Sequence, residues 1–209
     1  MAQACHQKPE TPRTTPVGQA NYPGEVQHGS HGEAPPTRGA RPGTGSCRRP
    51  SAEPLGLLSM AKVVFVCWGN ICRSPMAERV ARAMAAELGI DVETDSVGIS
   101  SEESGNPIDR RAAAVLRQSG YDPTGHRARR VTLADLAGMD LVVAAENFHI
   151  SRLELLYPGG NYALLNDFNP AMPKGQDLQD PWYGPASGFD DTLADIEAAM
   201  PGILAAVAG

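Results

Sequence analysis

The sequence predicts an α/β protein: a Rossmann-like three-layer sandwich, with a central four-stranded parallel sheet and helices on both faces. Three observations carry that prediction. From Lys62 onward, short β-rich runs alternate with helical stretches. The first run, KVVFVC, is apolar throughout, as a strand covered on both faces must be. Strand–helix alternation implies right-handed crossovers, and those build a parallel sheet.

The elements follow in order. After KVVFVC, Ser74 is a candidate N-cap with Pro75 at the first helical position. Met76, Val80, Met84 and Leu88 then recur every four residues as one apolar stripe. IDVETDSVG reads as a second strand ending at Gly98. DRRAAAVLRQSG is a helix stopped by Gly120. DLVVAA is a third strand, NFHISRLELL a helix and NYALLN a fourth strand. A last helix starts near Phe189, carries Leu193, Ile196, Met200, Leu204 and Val207 on one side, and is expected to bend at Pro201. Binding sites in such sheets lie beyond the carboxyl ends of the strands, and Cys67 stands at the end of the first.

Residues 1–60 differ in kind. They hold nine of the eighteen prolines and, of the Val/Ile/Leu/Phe set, only Val17, Val26, Leu55, Leu57 and Leu58. Such a segment buries too little to offset its conformational entropy, so a disordered Pro/Gly-rich extension is expected, followed by one domain over 61–209. Met60 directly precedes the first strand, which makes an internal translation start an alternative account of the tail. His6, His28, His31 and Cys5 match no standard zinc spacing.

Bulk composition narrows the function classes. A formal charge of −6 with 42% hydrophobic residues fits a globular protein and argues against nucleic acid as the main partner. Four cysteines make a poor disulfide framework, so a reducing, cytoplasmic setting is expected. The N-terminus shows no apolar signal region, and no window approaches the roughly 18 apolar residues of a membrane span.

The chemistry concentrates in VCWGNICRSP. Five residues separate Cys67 from Arg73, and Ser74 follows. A short loop from strand to helix turns its backbone N–H groups inward and makes an anion nest. Gly69 and Asn70 tolerate the backbone angles that such a loop needs. Arg73 supplies a planar fork for two phosphate oxygens, and the same positive surroundings favour the thiolate of Cys67. Ser74 can donate its hydroxyl to that sulfur. Two plainer readings stand beside this one. Cys67 and Cys72 can be packed thiols, or half of a zinc site, although no second pair exists and His126 and His149 stand alone.

VFVCWGNICRSPMAE resembles the active-site loop of the low-molecular-weight protein tyrosine phosphatases, V-C-x-G-N-I-C-R-S-P-x-A-E. The likeness extends over 61–209. DSVGIS is similar to the family's Ser-Ala-Gly loop, GNPIDRRA to its G-x-x-x-D-x-R-A segment, HRAR to its His-x-Ala-Arg turn, LLNDFNP to its Leu-Leu…Tyr-Asp-Pro stretch, and QDPWYG to its Asp-Pro-Tyr-Tyr-Gly loop. The resemblance implies Cys67 as nucleophile, Arg73 as phosphate clamp, Asp180 as general acid and base, and Ser74 as thiolate stabiliser. Trp68, Gly69, Asn70, Ile71 and Cys72 complete the phosphate loop, with Asn70 bonded to Ser96. Trp68, Trp182 and Tyr183 would wall a slot deep enough for phosphotyrosine. Glu78 and His126 would brace the loop as an ion pair, or else be a solvated Glu and an isolated His. Cys72 would be a redox guard or simply a packed thiol.

A metal-independent hydrolase is therefore expected, without metal or cofactor, acting as a monomer on phosphotyrosine proteins. Backbone N–H groups and Arg73 suffice for the phosphoryl oxygens. Val97, Ile99, Ala145, Asn169 and Trp182 depart from the family pattern, none at a reacting group. Two other activities stay open: arsenate reduction with a small-molecule thiol, and phosphotyrosine binding without catalysis. Ile71, where protein-arginine phosphatases carry Thr, favours phosphotyrosine.

Overall fold

β1 (Ala61–Cys67) lies inside a sheet, with β2 (Val92–Gly98) on one side and β3 (Leu141–Ala144) on the other. β4 (Tyr162–Leu164) extends the sheet beyond β3, giving the order β2-β1-β3-β4 with every pairing parallel. The computed structural model describes residues 60–208, so the expectation for residues 1–59 lies outside the described residues.

Period-two alternation sends successive side chains of β1 to opposite faces. Val63, Phe65 and Cys67 enter one core, with α1 (Arg73–Leu88), α2 (Arg110–Gln118) and α5 (Gly188–Ala208). Val64 and Val66 enter the other, with Leu136 of α3 (Leu133–Leu136) and Leu153 of α4 (Asn147–Leu156). This is the three-layer α/β arrangement expected from the sequence.

The differences are local. α1 begins at Arg73 with Cys72 at the N-cap position, so Ser74 lies inside the first turn and does not cap it. Its hydroxyl is engaged elsewhere, as the site makes clear. The stripe on α1 ends early: Leu88 is 60% exposed, while Met76 and Val80 are fully buried. A spacing of four drifts about 40° per step against a 3.6-residue turn, so the last member leaves the core. NYALLN is strand only to Leu164 and continues as a 3₁₀ turn over Leu165–Phe168. α5 runs through Pro201 to Ala208 without interruption.

The order β2-β1-β3-β4 places a topological switch at β1. The chain leaves β1 toward β2 on one side and returns to β3 on the other, so the loops beyond β1 and β3 diverge and open a crevice. The candidate site occupies it.

Candidate active site

The loop from Cys67 to Arg73 is held by its carbonyls. Cys67 O accepts from Ile99 N at 3.0 Å, Trp68 O from Ser100 N at 2.9 Å, Ile71 O from Asp109 N at 2.8 Å and Cys72 O from Met76 N at 3.1 Å. Asn70 O meets His126 Nε2 at 2.6 Å, an arrangement in which the imidazole donates. In a trans peptide the C=O and N–H point in opposite directions. Tying these carbonyls outward therefore turns the N–H groups that follow them inward, and those of Gly69, Ile71 and Cys72 donate to no protein acceptor among the described residues. Three unsatisfied donors converging beside a helix N-terminus form an anion nest.

Asn70 keeps the nest in shape. It is fully buried and left-handed, with φ 56°, a conformation that Asn tolerates better than most residues. Its Nδ2 donates to Ser74 Oγ and to Ser96 Oγ, both at 3.0 Å, and its Oδ1 accepts from Arg129 N at 3.0 Å. Ser96 Oγ donates in turn to Glu78 Oε2 at 2.7 Å. Ser74 Oγ lies 3.0 Å from Cys67 Sγ, with the Val97 carbonyl at 3.3 Å as its other acceptor. One hydroxyl proton thus faces either the sulfur or that carbonyl. Gly98 allows the loop to pass close by, since a Cβ there would stand 2.8 Å from Trp68 O.

Glu78 and His126 do not pair with one another, contrary to the expected brace. Glu78 is paired with Arg82 at 2.5 Å and Arg79 at 3.7 Å, whereas His126 serves the Asn70 carbonyl. Burial holds the His126 pKa below its ordinary value against the pull of that carbonyl. A neutral imidazole suits a single N–H bond to a carbonyl, so no ion pair forms. Both residues still support the loop, each through Asn70 or its partner Ser96.

Arg73 stands at the mouth of the nest, 2% exposed. Nη1 donates to Leu178 O at 3.0 Å and to Glu146 Oε1, and Nη2 donates to Asp180 Oδ2 at 2.7 Å. Asp180 Oδ1 also accepts from Trp182 N at 3.1 Å. The crevice thus brings together Cys67, Arg73, Ser74 and Asp180. Sequence reasoning missed Glu146, which follows β3 as Cys67 ends β1; an acidic residue just beyond a strand's carboxyl end was the available signal.

A cleft of about 140 Å³ above Cys67 is bordered by Trp68, Gly69, Ile71, Cys72 and Arg73, and by Asp180, Trp182 and Tyr183 from the facing loop. Trp68, Trp182 and Tyr183 are exposed rather than packed in the core. Glu102 and Glu103, also missed, border it as well, and Glu102 accepts from Trp68 Nε1 at 3.2 Å. Ser96 lies behind the loop, buried, and does not reach the cleft. Cys72 is a free, buried thiol whose pKa is pushed far up by burial and by nearby Cys67.

Arg111 links the two loops, and sequence reasoning had given it no role. Its guanidinium lies 5.2 Å from the Trp182 ring centroid and 4.6 Å from that of Phe189, and Nη1 donates to Trp182 O at 3.2 Å. Asp109, the N-cap of α2, accepts from Arg111 Nε at 3.0 Å while its own N–H reaches the phosphate loop. Burial opposes ionisation of Asp109, but its bonds to Arg111 prevail and hold its pKa below the ordinary value.

A buried thiol beside a serine hydroxyl, an inward ring of amide donors, an arginine and a facing carboxylate define a phosphate-handling thiol site on a parallel α/β sheet. The comparisons agree with that class. The model of the family "Low molecular weight phosphotyrosine protein phosphatase" matches residues 62–209, and the chain belongs to that family. It is 42% identical over 153 residues to a low molecular weight protein-tyrosine-phosphatase of Streptomyces coelicolor, covering 70% of this chain and 93% of the relative. It is 41% identical over 145 residues to low molecular weight protein-tyrosine phosphatase A of Mycobacterium tuberculosis, covering 68% and 88%. The crystal structure of YfkJ from Bacillus subtilis aligns with a TM-score of 0.66 at 33% identity, over 72% of this chain and 96% of that one.

Proposed function

We propose that this chain hydrolyses phosphotyrosine in proteins through a cysteinyl-phosphate intermediate, with Cys67 as nucleophile, Arg73 as phosphate clamp and Asp180 as general acid and then base. One observation carries the reading: Cys67 Sγ sits 3.0 Å from the Ser74 hydroxyl, beneath a ring of undonated amides, with Arg73 and Asp180 paired at the mouth at 2.7 Å.

The Cys67 thiolate attacks phosphorus while the P–O bond to the aryl oxygen breaks, and Asp180 delivers a proton to the departing phenolate. The amides and Arg73 hold the equatorial oxygens as charge spreads over them. Water then attacks the cysteinyl-phosphate, Asp180 takes its proton, and the sulfur leaves as thiolate toward the Ser74 proton. A dianionic phosphate is a stronger claimant on the Arg73 fork than Asp180, so substrate binding releases the carboxylate, which takes a proton from solvent and then gives it to the leaving oxygen.

The test is hydrolysis of an aryl phosphate in the presence of a chelator. Cys67→Ser is expected to lower kcat by at least about 10⁴-fold and to abolish phosphoryl labelling of the protein. Asp180→Ala is expected to lose about 10²- to 10⁴-fold on phosphotyrosine, and far less when the leaving phenol is acidic. Turnover of arsenate with a small thiol, but not of aryl phosphate, would overturn the assignment; so would tight phosphotyrosine binding with no turnover.

A further inference from the structure

α4 turns His149 and Leu153 inward and leaves a second apolar face to solvent. Phe148, Arg152, Leu155 and Leu156 fall at i, i+4, i+7 and i+8, which sets them on one side of the helix. Phe148 is 44%, Leu155 79% and Leu156 38% exposed. Trp68 continues this face to the phosphate loop, its ring centroid 5.9 Å from that of Phe148. Beside this face lies an open groove of about 410 Å³, bordered by Trp68, Arg130, Arg152, Leu155 and Leu156. Trp68 borders the cleft above Cys67 too, so groove and cleft are neighbours that share one wall. A contiguous apolar exposure of this kind marks an interaction surface.

Its charge says what it accepts. Arg130 and Arg152 are exposed, and neither is ion-paired to a carboxylate among the described residues. The Arg152 guanidinium stacks 5.0 Å from the Phe148 ring centroid, a contact that leaves its N–H fork for a partner. Neighbouring Arg129, in contrast, is saturated by Asp95 and Asp135. On a chain of net charge −6, two unpaired cations beside one apolar groove complement an acidic, apolar segment.

We propose that this groove docks the part of the substrate flanking the phosphotyrosine, and selects an apolar side chain together with a carboxylate within about three residues of it. The inference rests on the phosphatase reading above. The apolar side chain packs on Leu155 and Leu156, and the carboxylate takes the forks of Arg130 and Arg152.

The experiment compares kcat/KM for para-nitrophenyl phosphate, too small to leave the cleft, with that for phosphotyrosine peptides flanked by Glu and Leu or by Lys and Ser, on either side. The parent is expected to prefer the Glu/Leu peptides by about tenfold. Arg130→Glu with Arg152→Glu should cancel or invert that preference through KM, and Leu155→Ser should reduce it about threefold. Both variants should stay within about twofold of the parent on para-nitrophenyl phosphate, because these side chains are exposed and outside the cleft. Equal rates on the peptides in the parent, or a loss in the variants shared by para-nitrophenyl phosphate, would overturn the docking surface and leave the phosphatase reading standing. No turnover of any of these substrates would overturn both.

Discussion

The two loops that meet at Arg73 are built in opposite ways. Residues 69–73 run from half-buried Gly69 through four buried residues, and the side-chain polar groups of Asn70, Ser74 and Ser96 all have partners. Residues 180–184 carry only a turn, with Trp182 37% and Tyr183 92% exposed. The contacts tying them down at their start are Arg73 on Asp180 and Arg111 on Trp182. The contrast follows from the chemistry proposed for each. Donors that stabilise developing charge must be in place before the reaction, so they are packed and bonded. A loop that delivers a proton to a bulky leaving group must admit that group and release it, so it has little buried surface.

The comparison can be broken first at Asn70. Asn70→Ala removes partners from Ser74, Ser96 and the Arg129 N–H, and places Ala at a left-handed φ. The expected outcome is a fall of about a hundredfold in kcat, slower alkylation of Cys67 at mild acidity, and about 2–4 kcal/mol of lost stability in urea. A variant as stable and as reactive as the parent would mean that the network does not hold the loop.

Arg111 tests the other side. Arg111→Ala should lower kcat on phosphotyrosine about three- to tenfold and steepen its dependence on the leaving group, while Cys67 alkylates at the parental rate. Arg111→Lys should not rescue it, because an ammonium lacks the planar fork. Equal damage to alkylation and turnover would show that Arg111 supports the phosphate loop instead.

The smallest effect on turnover is expected at His149, which reads out in stability. Burial pushes its pKa down from 6.5 to about 4, and its Nδ1 has no hydrogen-bond partner among the described residues. The folded state thus keeps His149 neutral while the unfolded chain takes up a proton. Stability is lost as pH falls from about 6.5 toward 4, then levels off, by on the order of 3 kcal/mol. His149→Leu should flatten that limb in urea denaturation between pH 7 and 4.5. An unchanged limb would shift the dependence to other groups, such as His126, whose pKa burial also lowers.

One substitution relative to the family pattern has a local rationale. Asn169 donates to Asp195 Oδ1 at 3.3 Å, and the Asp195 pKa is raised, by burial first and by Asp191 as well. An aspartate at 169 would add a like charge beside it, so the amide suits this neighbourhood.

Much of this was legible from residue order because it is local. The continuous apolar run of KVVFVC specified β1, and NFHISRLELL bounded α4 at the residues observed. The spacing of Cys67, Asn70, Arg73 and Ser74 already contained the nest, since strand, loop and helix start are contiguous. The misreadings arose where a side chain had two uses. Ser74 reads both as a cap and as the partner of the Cys67 sulfur, and only the second holds; Glu78 and His126 read as a pair or as two separate residues, and each found a nearer partner.

Residue order alone thus determined the strand, the turn chemistry of Gly69 and Asn70, and the placement of a thiol and a guanidinium on one loop. Which carboxylates reach Arg73 was a matter for tertiary structure. Glu146 and Asp180 lie 73 and 107 positions downstream of it, and no local pattern relates them. They meet Arg73 because packing both faces of the sheet enforces the order β2-β1-β3-β4, which opens a crevice where the ends of β1 and β3 diverge.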